Sequence, residues 1–153
     1  MHGLSVRGSL TIAVTAVSLS SASSALAQTV ADANLTVTPY ITGLSQPTQI
    51  RFIGPNDVLV TEKETGLVRR YTNGAFVANV LDLSVATNSE QGLLGIALHP
   101  DFATNGQVYL YYSENNSGSD GGTWTDNRLV RYTWNGSTLT SDPTFTPITF
   151  GTS

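Results

Sequence analysis

The stretch Ser89-Glu90-Gln91-Gly92-Leu93-Leu94-Gly95-Ile96-Ala97-Leu98-His99-Pro100-Asp101-Phe102, continuing Ala103-Thr104-Asn105-Gly106-Gln107-Val108-Tyr109-Leu110-Tyr111-Tyr112-Ser113, decides the fold. It opens on a polar pair, Glu90 and Gln91. The apolar run Leu93 to Leu98 is short and bounded by turn residues, which reads as a buried strand. His99 to Gly106 forms a turn. Gln107 to Ser113 alternates, so Val108, Leu110 and Tyr112 share one face of a second strand.

Working outward, the same grammar recurs. Upstream, strands are expected at Thr48–Ile53, Val58–Thr61, Leu67–Thr72 and Ala75–Leu81. They are separated by Gly54-Pro55-Asn56-Asp57, by the polar turn Glu62–Gly66, and by Asn73-Gly74, a hairpin turn of the primed type. Further upstream, Leu35–Ile41 alternates, and Pro39 confines it to an edge strand. Downstream, Glu114–Asp126 reads as a long polar loop and Arg128–Trp134 as a strand. Asn135-Gly136 reads as another hairpin turn, and the Thr- and Pro-rich tail carries one more strand near Thr146–Phe150.

Leu67-Val68-Arg69-Arg70-Tyr71-Thr72-Asn73-Gly74 is echoed by Leu129-Val130-Arg131-Tyr132-Thr133-Trp134-Asn135-Gly136. A four-strand unit repeating over about 45–60 residues points to propeller blades. A single β-sandwich built from the same hairpins is the competing architecture. The echo favours blades. Propellers close with about 4–8 blades, and this chain supplies about two. An open pair leaves apolar faces and strand edges uncovered. The chain is therefore expected to be the N-terminal part of a longer protein, or the product of a truncated reading frame.

The chain has 153 residues and a formal net charge of −4. Its few Arg and Lys are scattered, which argues against a nucleic-acid partner. There is no cysteine, which removes thiolate metal sites, disulfides and a Cys nucleophile. Arg7, the apolar run after it and Ala25-Leu26-Ala27 follow the order of a secretory signal, with cleavage after Ala27. The apolar run falls short of the roughly 20 residues of a membrane span. The expected organisation is a signal peptide over 1–27, an N-terminal segment with an edge strand over 28–42, and blades over 43–153. The mature chain would be exported, to the periplasm or beyond the cell, with no membrane span.

Few residues offer chemistry. Glu90 and Gln91 precede an inner strand, where propeller loops face one end of the channel. A carboxylate and an amide there can hydrogen-bond sugar hydroxyls; an ordinary solvated turn is the alternative, and position alone favours it. Gly92 and Gly95 read either as room for a flat ligand or as crowding between blades, the second weighing more. His99 stands before Pro100 at the far end of the strand, where a turn-fixing role outweighs a catalytic one. His2 lies in the signal, so no pair of mature histidines exists to bind metal. Loop 114–126 carries acidic residues but lacks EF-hand spacing. No Ser sits in a Gly-x-Ser-x-Gly elbow. Asn34, Asn115 and Asn135 match the glycan acceptor pattern.

Glu90-Gln91-Gly92-Leu93-Leu94-Gly95 through His99-Pro100-Asp101-Phe102, then Asn105-Gly106 and Val108–Tyr112, resembles the glucose/sorbosone dehydrogenase family. Gly43-Leu44-x-x-Pro47, Thr61-Glu62-Lys63-x-Thr65-Gly66 and Arg128-Leu129-Val130-Arg131-Tyr132 add to the resemblance, which covers about residues 40–150. It implies an all-β, six-bladed β-propeller that holds pyrroloquinoline quinone (PQQ) and Ca²⁺ and oxidises the anomeric carbon of aldoses, passing hydride to the quinone and electrons on to an acceptor. The family's catalytic histidine, its quinone-binding basic residues and its Ca²⁺ ligands are expected after Ser153, so no catalytic, cofactor or metal residue is assigned here. Glu90 is the one position carried over, as a sugar-binding residue. The soluble glucose dehydrogenases have Gln there, and an ionised carboxylate accepts hydrogen bonds without donating them. The same motif also resembles the propeller of hedgehog-interacting proteins, which bind a partner without redox chemistry. Those are cysteine-rich, unlike this chain. A non-catalytic carbohydrate-binding propeller is the remaining alternative.

Overall fold

The structure is a computed structural model, and it describes Asp32 and residues 34–152. The expected signal peptide therefore lies outside the described residues. Asp32 and residues 34–38 belong to a unit separate from the rest. Within it, Asp32 caps a turn: its carboxylate accepts the Asn34 N–H and its carbonyl accepts the Leu35 N–H. The edge strand expected over Leu35–Ile41 is absent, and the first strand starts at Pro47. Pro39 has no N–H to give a ladder. Ile41 and Leu44 instead turn their side chains onto Val58, Val60 and Tyr71.

From Pro39 onward the chain builds two antiparallel sheets. The first contains β1 (Pro47–Gly54), β2 (Asp57–Glu62), β3 (Leu67–Thr72) and β4 (Ala75–Asp82), in sequence order. Its turns follow the sequence. Asn73 and Gly74 both have positive φ, 51° and 77°, as a type I′ hairpin requires.

The second sheet contains β5 (Leu93–Leu98), β6 (Gln107–Asn115), β7 (Trp124–Trp134) and β8 (Leu139–Ser141), again in order. A final strand, β9 (Ile148–Thr152), also pairs with β7. β8 covers Tyr132–Trp134 and β9 covers Asp126–Leu129. The two are successive pieces of one outer strand, interrupted by Asp142–Pro147. A single helical turn, α1 (Phe102–Asn105), lies inside the expected β5–β6 turn and closes on Gly106 at φ 64°. The polar loop is shorter than expected, because β6 runs on to Asn115 and β7 begins at Trp124. Asn135-Gly136 is not a primed two-residue turn. Only Gly136 has positive φ, and the Asn135 carboxamide accepts the Ser137 and Thr138 N–H groups.

Strand alternation sets the packing. Leu59, Val68 and Val80 from the first sheet meet Leu93, Ile96, Val108, Leu110, Tyr112, Val130 and Tyr132 from the second in one buried core. Val58, Val60 and Tyr71 point to the opposite face of the first sheet. β2 is thus buried on both faces, which is why it reads as a continuous apolar run. On and around that second face Ile50, Phe52, Phe76 and Val77 stay exposed.

Candidate functional site

Glu90 sits on a turn that the chain fixes by short-range bonds. The Gln91 N–H donates to the Asn88 carbonyl, and the Asn88 N–H donates to the Gln91 side chain. Ser89 takes positive φ, 55°, and its carbonyl accepts the Lys63 ammonium. Just after the turn, Gly92 (φ 138°) passes close to Lys63, just beyond the end of β2, where a Cβ would run into the Lys63 carbonyl and side chain. That approach lets the Leu93 N–H reach the Lys63 carbonyl at 2.8 Å. Crowding between sheets therefore accounts for Gly92. It does not account for Gly95, where a Cβ would meet only Tyr111 at an ordinary 3.5 Å.

Beside this turn opens a cleft of about 300 Å³ lined by Glu90, Gln91, Leu94, Ser113, Trp124 and Asn127. Glu90 is exposed at its mouth. Ser113 and Asn127 are cross-strand partners, and the Ser113 hydroxyl donates to the Asn127 side-chain oxygen at 2.8 Å. The Trp124 indole N–H reaches the same oxygen at 3.4 Å. Sequence reasoning missed Trp124 and Asn127 because it placed Trp124 in a loop and began β7 at Arg128. The available signal was charge pairing: Glu114 and Asp126 flank Arg128, and all three meet across the extended β6–β7 ladder.

That cluster is structural. Arg128 bridges Asp126 at 2.7 Å and Glu114 at 3.2 Å, and its hydrogen bond to Asp126 leads in raising its pKa. Tyr112 and Tyr132 are buried nearby, and desolvation pushes both phenols up. Both therefore stay neutral in the physiological range.

His99 lies at the other end of β5 and takes no part in the cleft. Its Nδ1 accepts the Asp101 backbone N–H at 3.0 Å and lies 2.8 Å from Asn105 Nδ2. An accepting Nδ1 leaves the ring hydrogen on Nε2. Its ring stacks on Tyr109, so the residue fixes the turn.

The acidic loop residues are committed elsewhere. The Asp120 carboxylate accepts the Val85 N–H, and the buried Asn115 side chain binds Ser117 and the Ser119 carbonyl. Among the described residues no group of three or more His, Cys, Asp or Glu stands together to hold a metal ion. No helix among the described residues is long and apolar enough to cross a membrane.

Two four-position antiparallel sheets, consecutive in sequence and sharing one core, are blades of a partial β-propeller. The profile of the Glucose / Sorbosone dehydrogenase family matches residues 44–145, and the chain belongs to that family. An uncharacterised protein of Synechocystis is 35% identical over 85 residues, covering 49% of this chain and 20% of its own length. Quinoprotein glucose dehydrogenase B of Acinetobacter calcoaceticus is 30% identical over 105 residues, covering 65% of this chain and 22% of its own length. The PQQ-bound form of aldose sugar dehydrogenase from Streptomyces coelicolor superposes with a TM-score of 0.55 at 27% identity. That match covers 74% of this chain and 32% of the other. The chain thus spans about a fifth of the curated relatives it matches.

Proposed function

We propose that this chain forms blades of a PQQ- and Ca²⁺-dependent aldose dehydrogenase that acts after export, and that the Glu90 turn contributes to its sugar site. The supporting observation is the position of Glu90. It lies on a bonded turn at a cleft lined by polar side chains and an indole, in a chain of the glucose/sorbosone dehydrogenase family. When bound, a quinone would supply a hydride acceptor to such an enzyme. The residues described here bind and orient. Glu90, when ionised, only accepts hydrogen bonds, so it selects a hydroxyl that can donate. Replacing an amide by a carboxylate in this way is compatible with an aldose other than glucose.

The test is dye reduction by the intact gene product loaded with PQQ and Ca²⁺, over a panel of aldoses. Aldose-dependent turnover is expected, with Glu90→Gln shifting the order of preferred sugars. Absence of turnover with every aldose sinks the reading. Residues 1–153 alone, given quinone and Ca²⁺, are expected to show none, since they span about a third or less of the related enzymes. N-terminal sequencing of the secreted protein checks export, with Gln28 expected as the first residue.

A further inference from the structure

We infer that Trp124 and Asn127 form a stacking subsite for the ring of a pyranose, with Glu90 of the same cleft as its hydroxyl acceptor. This deepens the proposed function and rests on its assignment of a sugar ligand.

The geometry is built by two irregularities in the ladder. Residues three apart on a regular strand point to opposite faces. Trp124 and Asn127 nevertheless meet, because β6 and β7 slip register between Glu114 and Asn115, with Asn115 opposite Trp124. The other edge of β7 slips at the same level, between Asp126 and Asn127, where Gly151 takes φ 62°. A Cβ added to Gly151 would lie 3.5 Å from the Trp124 ring, so the indole rests on that glycine. Bulges that re-aim one side chain are typical of sites.

A core role does not explain the indole. Trp124 belongs to neither apolar cluster, whereas Trp134 packs against the main one. Its ring lines the cleft and is held by the bond from its N–H to Asn127. The Asn127 oxygen already accepts from both Trp124 and Ser113. Its NH₂ has no protein partner among the described residues and is left as a donor. An apolar aromatic plate, a fixed amide donor and a carboxylate acceptor at one cleft match the apolar C–H face and the hydroxyl rim of a pyranose. The volume lies at the small end of ligand sites and suits one sugar ring.

The test uses methyl β-D-glucopyranoside and methyl β-D-xylopyranoside, which have no free anomeric hydroxyl and cannot be oxidised there. In the intact protein, the Trp124 indole ¹H–¹⁵N signal, assigned by its loss in Trp124→Phe, is expected to shift saturably with at least one of them. Trp124→Ala is expected to weaken binding about tenfold, and Trp124→Phe only about twofold to threefold. Asn127→Ala is expected to weaken it about fivefold. With an oxidisable aldose, Trp124→Ala raises KM and leaves kcat. An unmoved indole signal, or a Trp124→Phe or Trp124→Ala protein that binds as tightly as the parent, overturns the subsite even where aldoses turn over. Glycoside binding through Trp124 without oxidation of any aldose keeps the subsite and removes the dehydrogenase reading.

Discussion

The two sheets start from the same plan and end differently. Their third strands, β3 and β7, carry the echoed sequence, and Val68 and Val130 enter the same core. Arg69 and Arg131 both pair with a carboxylate and lie over a phenylalanine: Glu62 and Phe76 in the first sheet, Asp142 and Phe145 in the second. Counting rungs from these arginines, the β2–β3 ladder ends at Thr61 opposite Val68. The equivalent rung of the second sheet is Leu110 opposite Val130, and its ladder then continues to Asn115 opposite Trp124. Ser113, Trp124 and Asn127 all lie on that extension. The first sheet closes the same end with a buried carboxylate. Fold and candidate cleft are therefore carried by different rungs of the same ladder.

Removing the closure of the first sheet has the largest expected effect. Glu62 is 1% exposed and accepts from the Ser45 N–H, Arg69 and the Thr65 hydroxyl, each at 2.9 Å. Arg69 Nε has no partner already. Glu62→Ala should cost about 3 kcal/mol in urea unfolding. Burial alone would raise the Glu62 pKa. The Ser45 N–H, Arg69 and Thr65 together overcome it and hold the carboxyl below its usual range. Its stabilisation is then complete above about pH 4.3 and is lost as pH falls through the lower folded value. Glu62→Gln should flatten stability against pH in that acid window. A Glu62→Gln profile as steep as the parent's would mean that Glu62 does not close the sheet electrostatically.

A smaller effect tests where the sheets touch. Gly92→Ala should cost about 2 kcal/mol through backbone strain and collision with Lys63. Gly95→Ala should stay within about 1 kcal/mol of the parent. Equal losses at the two positions would undo the distinction between crowding and free space. The mildest change is Asp57→Asn. Asp57 binds Arg70 through two oxygens at 2.9 and 2.6 Å, near the surface, and about 1 kcal/mol is expected from thermal melts.

Much of the fold was legible because alternation and turn chemistry are local. Leu67–Thr72, Asn73-Gly74 and Leu93–Leu98 stand where their residues place them. Leu35–Ile41 misled because its alternation holds no ladder: Ile41 packs against the cluster of Val58, Val60 and Tyr71. The candidate cleft was half legible. Glu90 was visible as a polar residue before an inner strand. Trp124 and Asn127 were not, because their meeting depends on register slips against two other strands, and no local pattern encodes a slip. The turn at His99 was legible too, since Pro100 and Asp101 mark it, and the imidazole bonds Asp101 and Asn105 there.

The divided outer strand of the second sheet has a consequence for how such a chain can diversify. β8 and β9 run along one edge of β7, and Asp142–Pro147 leaves that edge between them. The excursion is pinned at its base, where the Asp142 N–H donates to the Arg131 carbonyl and Thr144 bonds the Asp142 carboxylate. Extra residues inserted past that anchor would bulge into solvent and leave the rungs on either side in place. The excursion is a socket where insertions can accumulate, or a reporter peptide can be grafted, without disturbing the Trp124 end of β7.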